Sequence, residues 1–211
     1  MNRQYSPFDQ LIIGLDRAVS TVFGRPATSR GSPACGKVAQ LTPEDQRLSA
    51  SLMRVNHAGE VAAQALYQGQ ALTARSDFVK ERMRQAALEE NDHLAWCATR
   101  IKELDSRVSL LDPIWYAGSF ALGAMAGAAG DKWSLGFVAE TEHQVCLHLE
   151  EHLEKLPAED APSRAILAQM RLDEIHHGEQ ARQAGAAELP PMAKKLMTLA
   201  SKVMTKTAYR F

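Results

Sequence analysis

The feature that most restricts the fold of this 211-residue chain is a pattern stated twice: a glutamate, then, one helical hairpin later, Glu-x-x-His. Glu60 lies 30 residues before Glu90, with His93 three further on, and Glu142 lies 32 before Glu174, with His177 three further on. A spacing of three places glutamate and histidine on one helical face, where they reach one ion together. The tetrapeptide alone occurs by chance on many solvated helices, so its setting decides. The stripes at steps of three and four are Met83, Ala86, Glu90, His93, Cys97, Ile101; then Leu135, Val138, Glu142, Val145, Leu149, Leu156; then Leu167, Met170, Glu174, His177, Ala181, Ala184. The acids and histidines stand where apolar side chains are expected. Glu140, Glu89 and His176 fall off these lines, and Glu89 groups with Arg82, Gln85 and Asp92 on a flanking face.

Four carboxylates facing one another without a cation cost several kcal/mol each after relaxation. Two divalent ions cancel that charge, while the histidines bind as neutral imidazoles. Mixed oxygen and nitrogen donors, few per ion, suit iron or manganese better than zinc, calcium or copper. Bundles that hold two such ions use this inventory: one glutamate from each of two helices and Glu-x-x-His from each of two others. The bland alternative is a set of surface charges or ion-paired core residues. Asp173 and Glu89 each directly precede a ligand candidate and are placed to reach an imidazole on a facing helix; a solvated acid on a helix flank is the competing reading. His57 and His148 lie off the stripe and read as satisfied or surface histidines.

The remaining chain is all helical in pattern. Residues 7–23 form an amphipathic helix (Phe8, Leu11, Ile12, Leu15, Val19, Val22), and Gly24 to Gln40 reads as a linker rich in Gly, Pro, Ser and Ala. Thr42-Pro43-Glu44-Asp45 is a helix start, with a capping hydroxyl and a first-turn proline. That helix runs to about Arg75, and Ser76-Asp77 begins another that ends near Ser106. Further helices are expected over 131–156, closed by Pro157, over 161–184, stopped by Gly185, and from Pro190 to the C-terminus. Residues 1–41 thus form an N-terminal helix and linker, and residues 42–211 the main domain. Sparse aromatics and no strand pattern exclude a sheet. With 24 basic and 25 acidic residues, no nucleic-acid partner is expected. Cys35, Cys97 and Cys146 form no Cys-x-x-Cys pair and read as free thiols. Met1 to Asp16 lacks the continuous apolar core of a secretory signal.

Two segments suggest a membrane surface. Pro113 to Gly130 is 18 residues without a charge, with four glycines and six alanines, which is borderline for a bilayer span. Packing on the bundle or lying at a membrane surface is the favoured reading, with Gly123-x-x-x-Gly127 allowing close helix contact. The last helix carries Lys194, Lys195, Lys202, Lys206 and Arg210 and no acid. A basic amphipathic helix suits an anionic membrane surface, though packing on the bundle with lysines in solvent has nearly equal weight.

The run Arg54-Val55-Asn56-His57-Ala58-Gly59-Glu60, continuing to Tyr67-Gln68-Gly69-Gln70, resembles the signature of the demethoxyubiquinone hydroxylases, ferritin-like di-iron monooxygenases of ubiquinone biosynthesis. The likeness extends through Glu90-Asn91-Asp92-His93-Leu94, the Glu140 to His143 region and Asp173-Glu174-Ile175-His176-His177, covering about residues 42–211. It implies a ferritin-like four-helix bundle with additional amphipathic helices at the termini. It implies two Fe ions held by Glu60, Glu90, His93, Glu142, Glu174 and His177, with Glu90 and Glu174 bridging. The implied reaction places one oxygen atom from O₂ on the ring of a polyprenylated demethoxyubiquinol, with electrons from NADH or the quinol. No Gly-x-Gly-x-x-Gly follows a strand, so no separate nicotinamide domain is expected. The implied location is peripheral, on the cytoplasmic face of a bacterial inner membrane, with association into a homo-oligomer or with another protein of the pathway left open. Two rivals remain at this level: a ferritin-type ferroxidase or iron store, and a membrane-associated helical scaffold whose core acids are ion-paired.

Overall fold

Capping residues and first-turn prolines set where every helix but α5 begins. The computed structural model describes residues 6–24, 28–34 and 40–211. Among these it contains no strand and seven helices: α1 (Pro7–Phe23), α2 (Pro43–Thr73), α3 (Asp77–Glu103), α4 (Asp112–Ala129), α5 (Asp131–Lys155), α6 (Ala161–Gln183) and α7 (Pro191–Ala208). The all-α expectation holds. Thr42 Oγ1 accepts from Asp45 N at 3.1 Å to start α2. Ser76 caps α3 through Val79 N at 3.2 Å, and Asp160 caps α6 through Ser163 N at 3.1 Å. Each satisfies a backbone donor that the first helical turn leaves unpaired. The α2–α3 turn is tied to the start of α5, where Asp131 accepts from Arg75 N and Ser76 N, both at 2.9 Å.

Two hairpins, α2/α3 and α5/α6, face each other and build the core in layers. At one end Leu52, Met53, Trp96, Ile101, Leu149, Ile166, Leu167 and Met170 are buried together. At the other Tyr67, Val79, Met83, Leu135, Val138 and Ala181 are buried together. The glutamates of the repeated pattern lie between these apolar layers, one on each of these four helices, with the histidines on α3 and α6. A second buried polar group closes one end: Arg100 donates to Asp160 Oδ1 at 2.8 Å and to Ser163 Oγ at 2.9 Å.

Residues 113–130 fall within α4 and its cap, and α4 lies along α2. The approach is close because glycines line it. A Cβ on Gly123 would overlap the Leu66 carbonyl, and one on Gly69 would overlap the Phe120 carbonyl and lie 2.7 Å from Ala124 N. Thr73 Oγ1 donates across the same seam to Ala124 O at 2.9 Å. The small-residue stripe therefore serves helix contact inside the fold. No helix among the described residues is long and apolar enough to cross a membrane.

The terminal helices are docked on one side and open on the other. In α7, Ala208 is buried against Val55 and Ala58, and the terminal Phe211 O accepts from Leu110 N at 2.9 Å. Met192, Leu196, Leu199 and Val203 on its other face are all more than half exposed, and so are Phe8, Leu15, Val19 and Phe23 of α1. Of the segment read as a linker, residues 28–34 lie against the bundle: Ser29 N donates to Asp92 Oδ1 at 2.7 Å, and Ala34 packs on the apolar layer that contains Leu52 and Trp96. Asp92 is thereby 1 % exposed, which corrects its placement on a flanking face. Cys97 and Cys146 are free thiols, and Cys35 lies outside the described residues.

Candidate metal centre

Each helix of the two hairpins contributes to one buried polar layer. Glu60 comes from α2, Glu90 and His93 from α3, Glu142 from α5, Glu174 and His177 from α6, and all six are buried. Their donor atoms form two overlapping groups, Glu60, Glu90, His93, Glu174 and Glu142, Glu174, His177, each gathered within 4.8 Å. His93 Nδ1 lies 2.8 Å from Glu90 Oε2, 3.2 Å from Glu174 Oε1 and 3.5 Å from Glu60 Oε2. His177 Nδ1 lies 3.3 Å from Glu90 Oε1 and 3.2 Å from Glu174 Oε2. Glu90 and Glu174 thus sit between the two imidazoles, with Glu60 toward one group and Glu142 in the other.

The outer nitrogens are held crosswise. His93 Nε2 is 2.9 Å from Asp173 Oδ2, and His177 Nε2 is 2.8 Å from Glu89 Oε2. An Nε2–H given to an acid leaves the Nδ1 lone pair facing inward, the tautomer a metal ligand needs. Sequence reasoning missed two further members. The Tyr67 hydroxyl donates to Glu142 Oε1; its place seven residues after Glu60, on the same helical face, was the available signal. Arg30 Nη2 donates to Asp173 Oδ2 at 2.8 Å while its Nε donates to Asp92 at 2.8 Å, and its guanidinium lies 5.0 Å from the Trp96 ring centroid. No periodic pattern surrounds Arg30, so nothing in the sequence marked it. His57 is buried 3.3 Å from Asp112, and the His148 ring lies tilted against that of His152 with centroids 4.0 Å apart; neither joins the cluster. His176 and Glu140 also lie outside it, and Glu140 approaches Lys194 at 3.5 Å.

The donor set fits metal ions. Glu60 Oε2, both Glu90 oxygens and His93 Nδ1 are buried with no hydrogen-bond partner of proper geometry, although they lie close together. Four such atoms gathered on three neighbouring ligand candidates are what a cation in their midst would satisfy. The electrostatics agree. Burial pushes Glu60 and Glu142 well above the usual carboxylate range, Glu60 with help from Glu90 and Glu142 with help from Glu174. Burial works against the charged form of Glu90 too, yet the charges of His93 and His177 hold it well below that range. Burial also opposes the charged form of both histidines, but the surrounding acids outweigh it and raise both, His93 chiefly through Glu90 and His177 chiefly through Glu174.

The sign of the resulting pH dependence follows by linkage. Raised histidines stabilise the metal-free fold below about pH 6.5, and this contribution is lost as pH rises through their folded values. Raised glutamates act in the same direction above about pH 4.5, because the fold then holds more protons than the unfolded chain. The metal-free protein is therefore expected to melt at a lower temperature at pH 8 than at pH 6, and divalent metal should release protons and cancel most of this slope. Thermal melting at both pH values, with and without Fe(II), checks it; a metal-free melting temperature that rises between them contradicts the charge assignment.

Residues 47–208 match the family model described as "Ubiquinone biosynthesis protein COQ7". The chain belongs to this family. It is 60 % identical over 210 residues to a 3-demethoxyubiquinol 3-hydroxylase of Nitrosococcus oceani, covering 98 % of each chain. It is 58 % identical over 208 residues to one of Acinetobacter baumannii, covering 98 % of this chain and 99 % of the relative. It is 55 % identical over 211 residues to one of Xanthomonas campestris pv. campestris, covering 100 % of this chain and 97 % of the relative. Among solved structures, a dodecameric thioferritin, a bacterioferritin-related protein of Bacteroides fragilis, superposes with a TM-score of 0.53 at 20 % identity, covering 68 % of this chain and 85 % of that one. That likeness shows a ferritin-like fold for the COQ7-family chain.

Proposed function

We propose that this protein is a di-iron hydroxylase of ubiquinone biosynthesis, adding one oxygen atom from O₂ to the ring of a polyprenylated demethoxyubiquinol. The observation that carries the reading is the buried layer of four glutamates and two histidines in a COQ7-family chain. Glu60, Glu90, His93, Glu142, Glu174 and His177 would hold two Fe ions, Glu90 and Glu174 between them. When bound, the iron pair supplies the reduction of O₂ that side chains alone do not perform. The balance is O₂ plus two electrons and two protons, giving one hydroxylated ring carbon and one water; the electrons come from NADH or from the quinol.

The protein's own residues supply position and shelter. Asp173 and Glu89 fix the two imidazoles by their outer nitrogens. Tyr67 holds one oxygen of Glu142. Apolar layers above and below the carboxylates exclude water and strengthen every charge interaction between them. Beside His177 a cavity of about 100 Å³, lined by Tyr67, Met83, Ala86, Glu89, Leu135 and Val138 among others, leads outward. The exposed apolar faces of α1 and α7, with lysines along α7, support a peripheral place on an anionic membrane, the cytoplasmic face of a bacterial inner membrane, where a polyprenylated substrate resides.

Single turnover with isotope-labelled O₂ tests the reading. Label is expected in the quinol ring, and its incorporation should slow as salt rises when the quinol is presented in anionic vesicles. Label found only in water, with iron oxidised and quinol untouched, would favour a ferroxidase and overturn it. Salt-independent turnover from vesicles would remove the membrane-surface part alone.

A further inference from the structure

The two halves of the buried layer are held very differently from outside. On the His93 side, Asp173 Oδ2 accepts from Arg30 Nη2 at 2.8 Å and lies 2.9 Å from His93 Nε2, and its other oxygen accepts from Gln169 at 2.9 Å. Arg30 is itself anchored: its Nε and backbone N reach Asp92, at 2.8 and 3.3 Å, beside the Ser29 contacts to the same carboxylate. The segment 28–34 thus covers this side, and the Asp173 side chain is 18 % exposed. On the His177 side the equivalent acid, Glu89, is 41 % exposed and accepts from Gln85 at 2.9 Å, and no arginine of the described residues is paired with it. Glu89 and His177 also line the cavity that leads outward.

We propose that the two metal positions are inequivalent, with Arg30 locking the one at His93 and leaving the one at His177 as the exchangeable position through which metal enters and leaves. Arg30 is a positioning residue. It orients Asp173, Asp173 orients the imidazole, and an imidazole that cannot swing away releases its ion slowly. A guanidinium suits the task because its fork donates to two carboxylates at once from one rigid plane, which a lysine cannot reproduce. This inference rests on the dimetal reading above and adds that the N-terminal segment, outside the helices that supply the ligands, sets the order of loading.

Anaerobic release of Fe(II) from the full-length protein into excess colorimetric chelator tests it. Two phases of equal size are expected, the slow one about tenfold or more slower, in line with what outer hydrogen-bond partners contribute to metal retention. Arg30→Ala should speed the slow phase by about that factor and leave the fast phase unchanged. Arg30→Lys, which keeps the charge but loses the fork, should fall between and guards against a folding defect in the alanine variant. Melting of the metal-free variants, expected to match the parent, separates a local effect from general loosening. A single release phase for two ions, a slow phase indifferent to both substitutions, or equal acceleration of both phases would overturn the proposal. A parent protein that retains no Fe(II) would instead overturn the dimetal reading on which it rests.

Discussion

Glu174→Ala is expected to lower bound iron from two ions per chain to one or none, and to reduce hydroxylation by more than the roughly 100-fold that loss of an outer hydrogen-bond partner can cost. Glu174, like Glu90, reaches both imidazoles, with one oxygen 3.2 Å from the Nδ1 of His93 and the other 3.2 Å from the Nδ1 of His177. Its removal therefore breaks both donor groups at once. The metal-free protein should lose little stability, because one carboxylate leaves a crowded buried set and the repulsion on Glu142 falls. Glu89→Gln touches only the outer nitrogen of His177 and should keep two irons with weaker retention of one. Iron analysis, turnover and melting of both variants check this. An alanine variant that still binds two irons and turns over would remove Glu174 from the centre.

The second large effect is expected at a position without a side chain. In Gly123→Val the new Cβ meets three backbone atoms of Leu66, and backbone cannot swing aside as a flexible side chain can. Helices α2 and α4 must separate, at a cost of about 3 kcal/mol or more. For a chain of this size that is a melting temperature lower by about 6–12 °C. Gly118 is the internal control: it lies in the same helix, is exposed, and has nothing within 4 Å of a Cβ. Gly118→Ala should stabilise by about 0.5–1 kcal/mol through helix propensity alone. Because α2 also carries Glu60, the valine variant should bind iron more weakly as well. Equal melting of the two variants would show that the seam tolerates separation.

Much of this was readable before any coordinates, for physical reasons that differ by element. The starts of α2 and α7 carry prolines, and those of α2, α3 and α6 carry capping side chains, so these boundaries are written in local chemistry. Glu90, Glu142 and Glu174 stood out because a carboxylate on an apolar stripe costs free energy unless something compensates it. Asp92 was misplaced because its burial comes from residues 28–34, some 60 positions away, and helical periodicity carries no record of an irregular segment lying across a face. Arg30 was invisible for the same reason. Arg100 with Asp160 and Ser163 went unnoticed because charged residues near helix ends normally read as solvated. The Gly123 stripe was legible as a contact surface but not as to its partner, since small residues admit any backbone that approaches.

The outer acids are exchanged between the two hairpins. Asp173 stands on the helix of His177 yet serves His93, and Glu89 stands on the helix of His93 yet serves His177. Neither hairpin contains a complete coordination unit, although each repeats the other's ligand order. A single hairpin of this kind would hold an ion only when paired with a second copy turned end for end.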